Sequence, residues 1–216
     1  MDEVRKNSRK IRDKVDENSL DWFEELYASA NGDGYWIPWS NGLPHHFLVE
    51  WIKKSKVRGR ALVVGCGLGE DAVYLSQQGW NVTAFDISPS AINWARKNYP
   101  LENIDWQVAD LLSLPGHWNG LFDLVVEVHI LQAIPESLRI IAAPNMPPLL
   151  ASSGHLVCIG RLNEKEEEYE GPPWPLSRSF IDSIGVDIKN VNFIKKQLPN
   201  DDPDVIRYRS VWKREI

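Results

Sequence analysis

The stretch Ala61-Leu-Val-Val-Gly65-Cys66-Gly67-Leu-Gly69-Glu-Asp71 constrains this chain more than any other part of it: an apolar run ends in three alternating glycines, and a helix-like segment follows. A second apolar run ends at Phe85-Asp86-Ile87-Ser88, about one strand-helix-strand step later. Gly65 and Gly67 let the backbone turn sharply and approach a ligand closely, where a Cβ would occupy the ligand's space. Gly69 opens a helix whose unpaired N–H groups point into the crevice. Asp86 follows roughly 20 residues on, where a carboxylate can accept both hydroxyls of a ribose. This is the layout of a nucleoside-cofactor site.

The spacing separates two classes of cofactor. In the dinucleotide fingerprint two residues lie between the second and third glycines. Here the order is G-x-G-x-G followed by Glu70-Asp71. An acid in the first helical turn suits a cation better than a pyrophosphate, which needs those N–H groups free. The chain also lacks a Tyr-x-x-x-Lys sequence, which weakens a nicotinamide oxidoreductase reading further. In this form, VVGCGLGEDAVYL followed by VTAFDISPSAINWA resembles the motifs of class I S-adenosylmethionine-dependent methyltransferases, from about Arg60 to the C-terminus. The resemblance implies S-adenosylmethionine, a sulfonium cation without phosphate, as methyl donor and S-adenosylhomocysteine as product.

Length and composition narrow the reading. At 216 residues and 43% hydrophobic content the chain suits one α/β domain, with residues 1–58 as an N-terminal helical cover and 59–216 as the cofactor-binding core. A formal charge of −6, with scattered Lys and Arg, argues against nucleic acid and anionic membrane surfaces as partners. Cys66 and Cys158 suggest neither a disulfide framework nor a metal cluster. The charged N-terminus lacks the apolar core of a secretory signal, and no run approaches a membrane span. The expectation is a cytoplasmic protein acting on a small molecule, as a monomer or weak homodimer, with no metal.

Residues 1–18 place Val4, Ile11 and Val15 in a charged segment, the pattern of a frayed surface helix. Ser19 can cap a helix that carries Trp22, Phe23, Leu26, Tyr27 and Ala30 on one face and ends at Asn31-Gly32. Another helix carries Phe47, Leu48, Trp51 and Ile52. From Arg60 the apolar runs predict strands at about 61–65, 81–86, 104–109, 122–128 and 155–161, parallel and buried on both faces, with helices between the earlier ones. Ser88 and Pro89 start the second of these helices, where proline's fixed φ fits the first turn. A helix near 177–184 and two alternating runs, 186–196 and 205–214, read as an antiparallel pair at the sheet edge. The fold expected is a Rossmann-like, doubly wound, seven-stranded, mostly parallel sheet with an antiparallel C-terminal hairpin, the arrangement that family shows.

Several residues can carry chemistry. Asp110 stands where open α/β sheets bind ligands. The family resemblance makes it an acceptor for the adenine amino group, with Leu111 and Ile87 against the ring; a loop cap is the alternative. Glu127 closes the fourth strand and is a candidate to meet the methionine ammonium. His129 is either a general base or a packing histidine. Together with the glycine turn, the Glu127 segment and Glu170-Gly-Pro-Pro-Trp174 resemble the thiopurine and halide/thiol methyltransferase branch, in which a Gly-Pro-Pro-aromatic loop lines the acceptor pocket. Trp36-Ile-Pro-Trp39 resembles that branch's tryptophan-bearing lid, although Glu127-Val128 replaces its usual acid followed by arginine. Trp36, Trp39 and Trp174 are then pocket walls or plain apolar cover, and Arg161 holds an anionic acceptor group or a surface ion pair. The function expected is methyl transfer to a small nucleophile of the soft S, Se, Te or halide kind. The alternatives are a catalytically silent sensor or scaffold that binds the cofactor, and an O- or N-methyltransferase of a small metabolite.

Overall fold

The computed structural model describes residues 19–169, 171–198 and 201–215, so the segment expected as a surface helix at 1–18 lies outside the described residues. Two helices, α1 (Asp21–Ala30) and α2 (His46–Lys54), precede the sheet. Strand and helix then alternate through β1 (Arg60–Val64), α3 (Glu70–Gln77), β2 (Asn81–Asp86), α4 (Pro89–Asn98) and β3 (Ile104–Val108). After β3 the chain continues through β4 (Phe122–Val128), α5 (Glu136–Ala142), β5 (Leu150–Asn163), the two-residue β6 (Leu176–Ser177), α6 (Arg178–Ile184), β7 (Lys189–Gln197) and β8 (Ile206–Lys213).

The sheet runs β3-β2-β1-β4-β5-β8-β7, with β6 attached to β5. β1 to β5 are parallel, and β8 is antiparallel to both β5 and β7. The expected seven strands and the C-terminal hairpin are therefore present. Successive β1 residues point to opposite faces: Leu62 and Val64 enter one core cluster, Ala61 and Val63 the other. A strand buried on both faces reads as an unbroken apolar run, which is what Ala61–Val64 is. Because β1 has β2 on one side and β4 on the other, the sheet has a switch point beyond the β1 carboxyl end, where such folds bind ligands.

Local chemistry explains the boundaries. Ser88 Oγ accepts from the Ala91 amide at 3.0 Å with Pro89 in the first turn, as the Ser-Pro pair predicts. Ser19 Oγ accepts from the Asp21 amide at 3.1 Å, and Asn31 ends α1 in the left-handed conformation. β5 begins at Leu150, earlier than the apolar run at 155–161 suggests, because its register with β4 slips between Phe122 and Leu124. That irregularity takes up the polar Ser152-Ser153, with Ser153 at φ +65°. Among the described residues, no helix is long and apolar enough to cross a membrane.

Candidate active site

The glycine turn joins β1 to α3 and is held from β2. Cys66 N donates to Phe85 O at 2.8 Å, and Gly67 N donates to Asp86 Oδ2 at 2.9 Å. Asp86 Oδ1 accepts from Ser88 N at 2.9 Å, so one carboxylate ties the turn to the start of α4. Burial pushes this carboxyl up to about 6, against the amide bonds that lower it. Each oxygen keeps acceptor capacity beyond these amides.

An open cleft of about 470 Å³, counted with its mouth, runs along this edge. The site residues expected there include Gly65, Asp86, Ile87, Asp110 and Leu111, and all five line it. Its lining is otherwise apolar, from Phe23, Val64, Phe85, Ile130 and Ile134. Asp110 is both wall and cap, since its Oδ1 also accepts from Leu112 N at 2.8 Å. Two carboxylates flanking an apolar slot fit a cationic nucleoside: Asp86 would take the ribose hydroxyls and Asp110 the adenine amino group.

Two glycines are required here for space as well as for φ. A Cβ on Gly65 (φ +58°) would lie 2.3 Å from Ile130 Cδ1, and one on Gly67 (φ +53°) 2.8 Å from the Tyr27 hydroxyl. Ile130 and Tyr27 therefore close over the turn, one at Gly65 and the other at Gly67. Tyr27 is 3% exposed, and its oxygen accepts from Trp39 Nε1 at 2.9 Å. Helical periodicity marks Tyr27 only as a core-facing residue of α1. No signal in the sequence tells that its hydroxyl reaches the glycine turn.

The first-turn acids have a different use from the one their position suggests. Asp71 Oδ1 accepts from His45 N at 2.7 Å, and Glu70 accepts from Ser40 Oγ. The pair fastens the segment before α2 onto α3, and burial pushes the Asp71 carboxyl up to about 6. Glu24 of α1 does the same at α4, accepting from Ser88 Oγ at 2.5 Å, Ser90 Oγ at 2.6 Å and Ser90 N at 3.0 Å. Segments ahead of the sheet are thus fixed to the N-terminal ends of α3 and α4.

Other expectations need correction. Glu127 does not stand on the cleft wall: it is 1% exposed, and its Oε1 accepts from Ile130 N at 2.6 Å and Leu131 N at 3.1 Å. Its Oε2 is unpartnered in the core, and burial pushes the carboxyl up to about 7. Glu127 caps the turn that brings Ile130 over Gly65, a role the methionine-ammonium expectation missed. Trp36 packs with the cluster of Trp22, Leu26 and Ile37 rather than on the cleft. The Trp174 indole lies against the Gly171 backbone, with the Arg139 guanidinium 5.6 Å from the ring centroid. Of the three loop tryptophans, Trp39 alone reaches the glycine turn.

His129 follows β4 directly and stands in the left-handed region, φ +66°, with its Nε2 3.2 Å from Arg207 Nη1. Arginine only donates, so Nε2 is the acceptor and the ring is the neutral Nδ1–H tautomer. Arg207 is itself held by Asp201 at 2.5 and 2.7 Å. Burial and then the Arg207 and Arg161 guanidiniums push the imidazole down to about 3, so it is a poor base near neutral pH. His45, whose ring centroid is 5.1 Å from that of His129, is pushed down to about 2, again chiefly by burial. Arg161, near the end of β5 and paired there with Arg207, completes this group, and its guanidinium contributes to the fall at His129.

These depressed imidazoles set the sign of an acid limb in stability. Below pH 6.5 the unfolded chain protonates His129 while the folded one does not until about 3, so this contribution lowers stability as pH falls. The raised acids Asp71, Asp86 and Glu127 act oppositely, because the folded chain takes up their protons first. A difference experiment isolates the histidine. His129→Asn, which tolerates the positive φ, should lose about 2 kcal/mol less than the parent between pH 7 and pH 5 in urea unfolding. Parallel profiles would show that His129 is protonated in the fold.

Residues 61–154 match the family described as a methyltransferase domain. Similar solved folds include an enzyme structure concerned with converting a disulfide into a thioacetal during echinomycin biosynthesis (TM-score 0.74, 21% identity, 90% of this chain and 91% of that one). Another is the N-methyltransferase NodS from Bradyrhizobium japonicum with S-adenosylhomocysteine (TM-score 0.67, 17% identity, 96% and 97%). Over residues 61–154 the chain is a methyltransferase domain, set in the same Rossmann-like fold as these solved structures. Among characterised relatives it is similar to a 2-heptyl-1-hydroxyquinolin-4(1H)-one methyltransferase of Mycobacteroides abscessus, 32% identical over 57% of this chain and 56% of that protein. It is also similar to a probable thiol methyltransferase 2 of Arabidopsis thaliana (26%, 78% of each) and a thiocyanate methyltransferase 1 of Brassica oleracea (28%, 70% and 67%).

Proposed function

We propose that the protein transfers the methyl group of S-adenosylmethionine to a small, soft nucleophile, of the sulfur, selenium, tellurium or halide kind. The observation that carries this reading is the state of the two imidazoles beside the site. Both His129 and His45 are held neutral and far below the usual imidazole range, and His129 Nε2 is committed to Arg207. A thiolate or halide needs no proton removed at the moment of attack, whereas a hydroxyl or amine does. Similarity to thiol and thiocyanate methyltransferases supports the same acceptor class.

The bound donor supplies an electrophilic methyl on a sulfonium. The chain's part is positioning and exclusion of water. Asp86 and Asp110 orient the nucleoside, Tyr27 and Trp39 close over Gly67, and Ile130 closes over Gly65. Holding two reactants at attack distance in a dry pocket is worth up to roughly 7–11 kcal/mol. The test is an assay of wild-type protein for S-adenosylhomocysteine release with thiol, selenide, telluride and halide acceptors beside phenols and amines. Turnover with the soft acceptors is expected. Turnover confined to phenols or amines would overturn the acceptor class, and cofactor binding without any turnover would favour a silent binder.

A further inference from the structure

Gln132 lies five residues past the Glu127 that closes β4 and is 4% exposed. Its Oε1 accepts from Arg161 N at 2.6 Å, and its backbone oxygen accepts from Trp174 N at 2.8 Å. It fits because β5 has no side chain opposite it: a Cβ on Gly160 would lie 3.0 Å from Oε1. One buried residue therefore fastens three segments that are distant in sequence: the turn after β4, the end of β5 at Arg161, and the Gly171-Pro-Pro-Trp174 loop. Bonds to buried amides are costly to leave unmade, so this arrangement fixes where Arg161 and Trp174 stand. The lining of the cofactor cleft includes neither Gln132, Arg161 nor Trp174.

We propose that Gln132 is the positioning residue of the acceptor side, setting Arg161 and the Trp174 loop for the incoming nucleophile while leaving the donor side untouched. This rests on the reading that the acceptor enters between those segments. Gln132→Leu keeps the size and removes the acceptor oxygen, and Gln132→Glu restores an oxygen. Three quantities are measured on the full chain: amide hydrogen exchange across 159–176, S-adenosylhomocysteine affinity by calorimetry, and KM for the best soft acceptor. For Gln132→Leu, faster exchange in that stretch, an acceptor KM raised about tenfold or more and a cofactor affinity within a factor of three of wild type are expected, with Gln132→Glu returning KM most of the way. Unchanged exchange, an unchanged acceptor KM, or an equal loss of cofactor affinity would each overturn the proposal. Should Gln132→Leu not fold, Gln132→Asn, which withdraws the oxygen by one methylene, faces the same three criteria. Failure of the acceptor class itself shows in wild type, before any variant is made.

Discussion

Gly69→Ala is expected to destabilise the protein by about 3 kcal/mol and to lower its melting temperature by about 10 °C, the sum of a strained backbone and an overfilled core. Gly69 caps α3 in the left-handed region at φ +96°. A Cβ there would lie 2.5 Å from Trp106 Cη2, 3.0 Å from Cζ3 and 3.5 Å from Ala95 Cβ. Trp106 is buried in the cluster with Trp80, Ala95 and Ile104, so the indole has nowhere to move. Gly120→Ala separates the two costs: its φ is +68° with no atom within 4 Å of the added Cβ, so it bears the strain alone, about 1 kcal/mol. Equal melting temperatures for the two variants would mean that Trp106 yields, and that Gly69 is required only for its φ.

The same glycine marks what can be read from the chain. Its presence at the start of α3, the Ser88-Pro89 helix start and the acid closing β2 are each local, since the chemistry that needs them lies within a few residues or one strand-helix-strand step. The parallel strands are unbroken apolar runs, and their positions were legible for the same reason. Misreadings arise where a partner arrives from far along the chain, and where the backbone of the next turn folds back on a side chain. Glu70 and Asp71 look like acids offered to a cation until Ser40 and His45 N occupy them. Glu127 looks like a crevice acid, yet it bends back to amides three and four residues later. Whether a strand-end carboxylate turns out to solvent or back onto its own turn is decided by the following loop's conformation, which residue type does not encode.

The tryptophans make the point on the aromatic side. Their number promises an aromatic pocket, but which ring faces the ligand depends on packing of both faces. Trp174 has Gly171 on one side and Arg139 near its ring, and Trp36 joins the core of the leading helices. Trp39 comes to the glycine turn only through Tyr27, whose oxygen its Nε1 meets over Gly67.

Asp86 carries the largest expected effect on ligand binding. Asp86→Ala removes the group proposed for the ribose and also strands two buried amides, Gly67 N and Ser88 N, each worth about 1–3 kcal/mol when left unpaired. Affinity for S-adenosylhomocysteine should therefore fall by roughly a hundredfold or more. Asp86→Asn keeps one acceptor oxygen, and a loss nearer tenfold is expected. The two variants also divide a pH effect. With the wild-type carboxyl at about 6, the fold binds that proton before the unfolded chain does, so this group's contribution to stability rises as pH falls from 6 towards 4. Ligand affinity should run the other way, because a protonated acid loses an acceptor for the ribose hydroxyls as pH drops below 6. Calorimetric titrations from pH 5 to pH 8 should show wild-type affinity weakening at the acid end and the Asn variant's profile flat there. An Ala variant binding within a factor of three of wild type would remove Asp86 from the cofactor site.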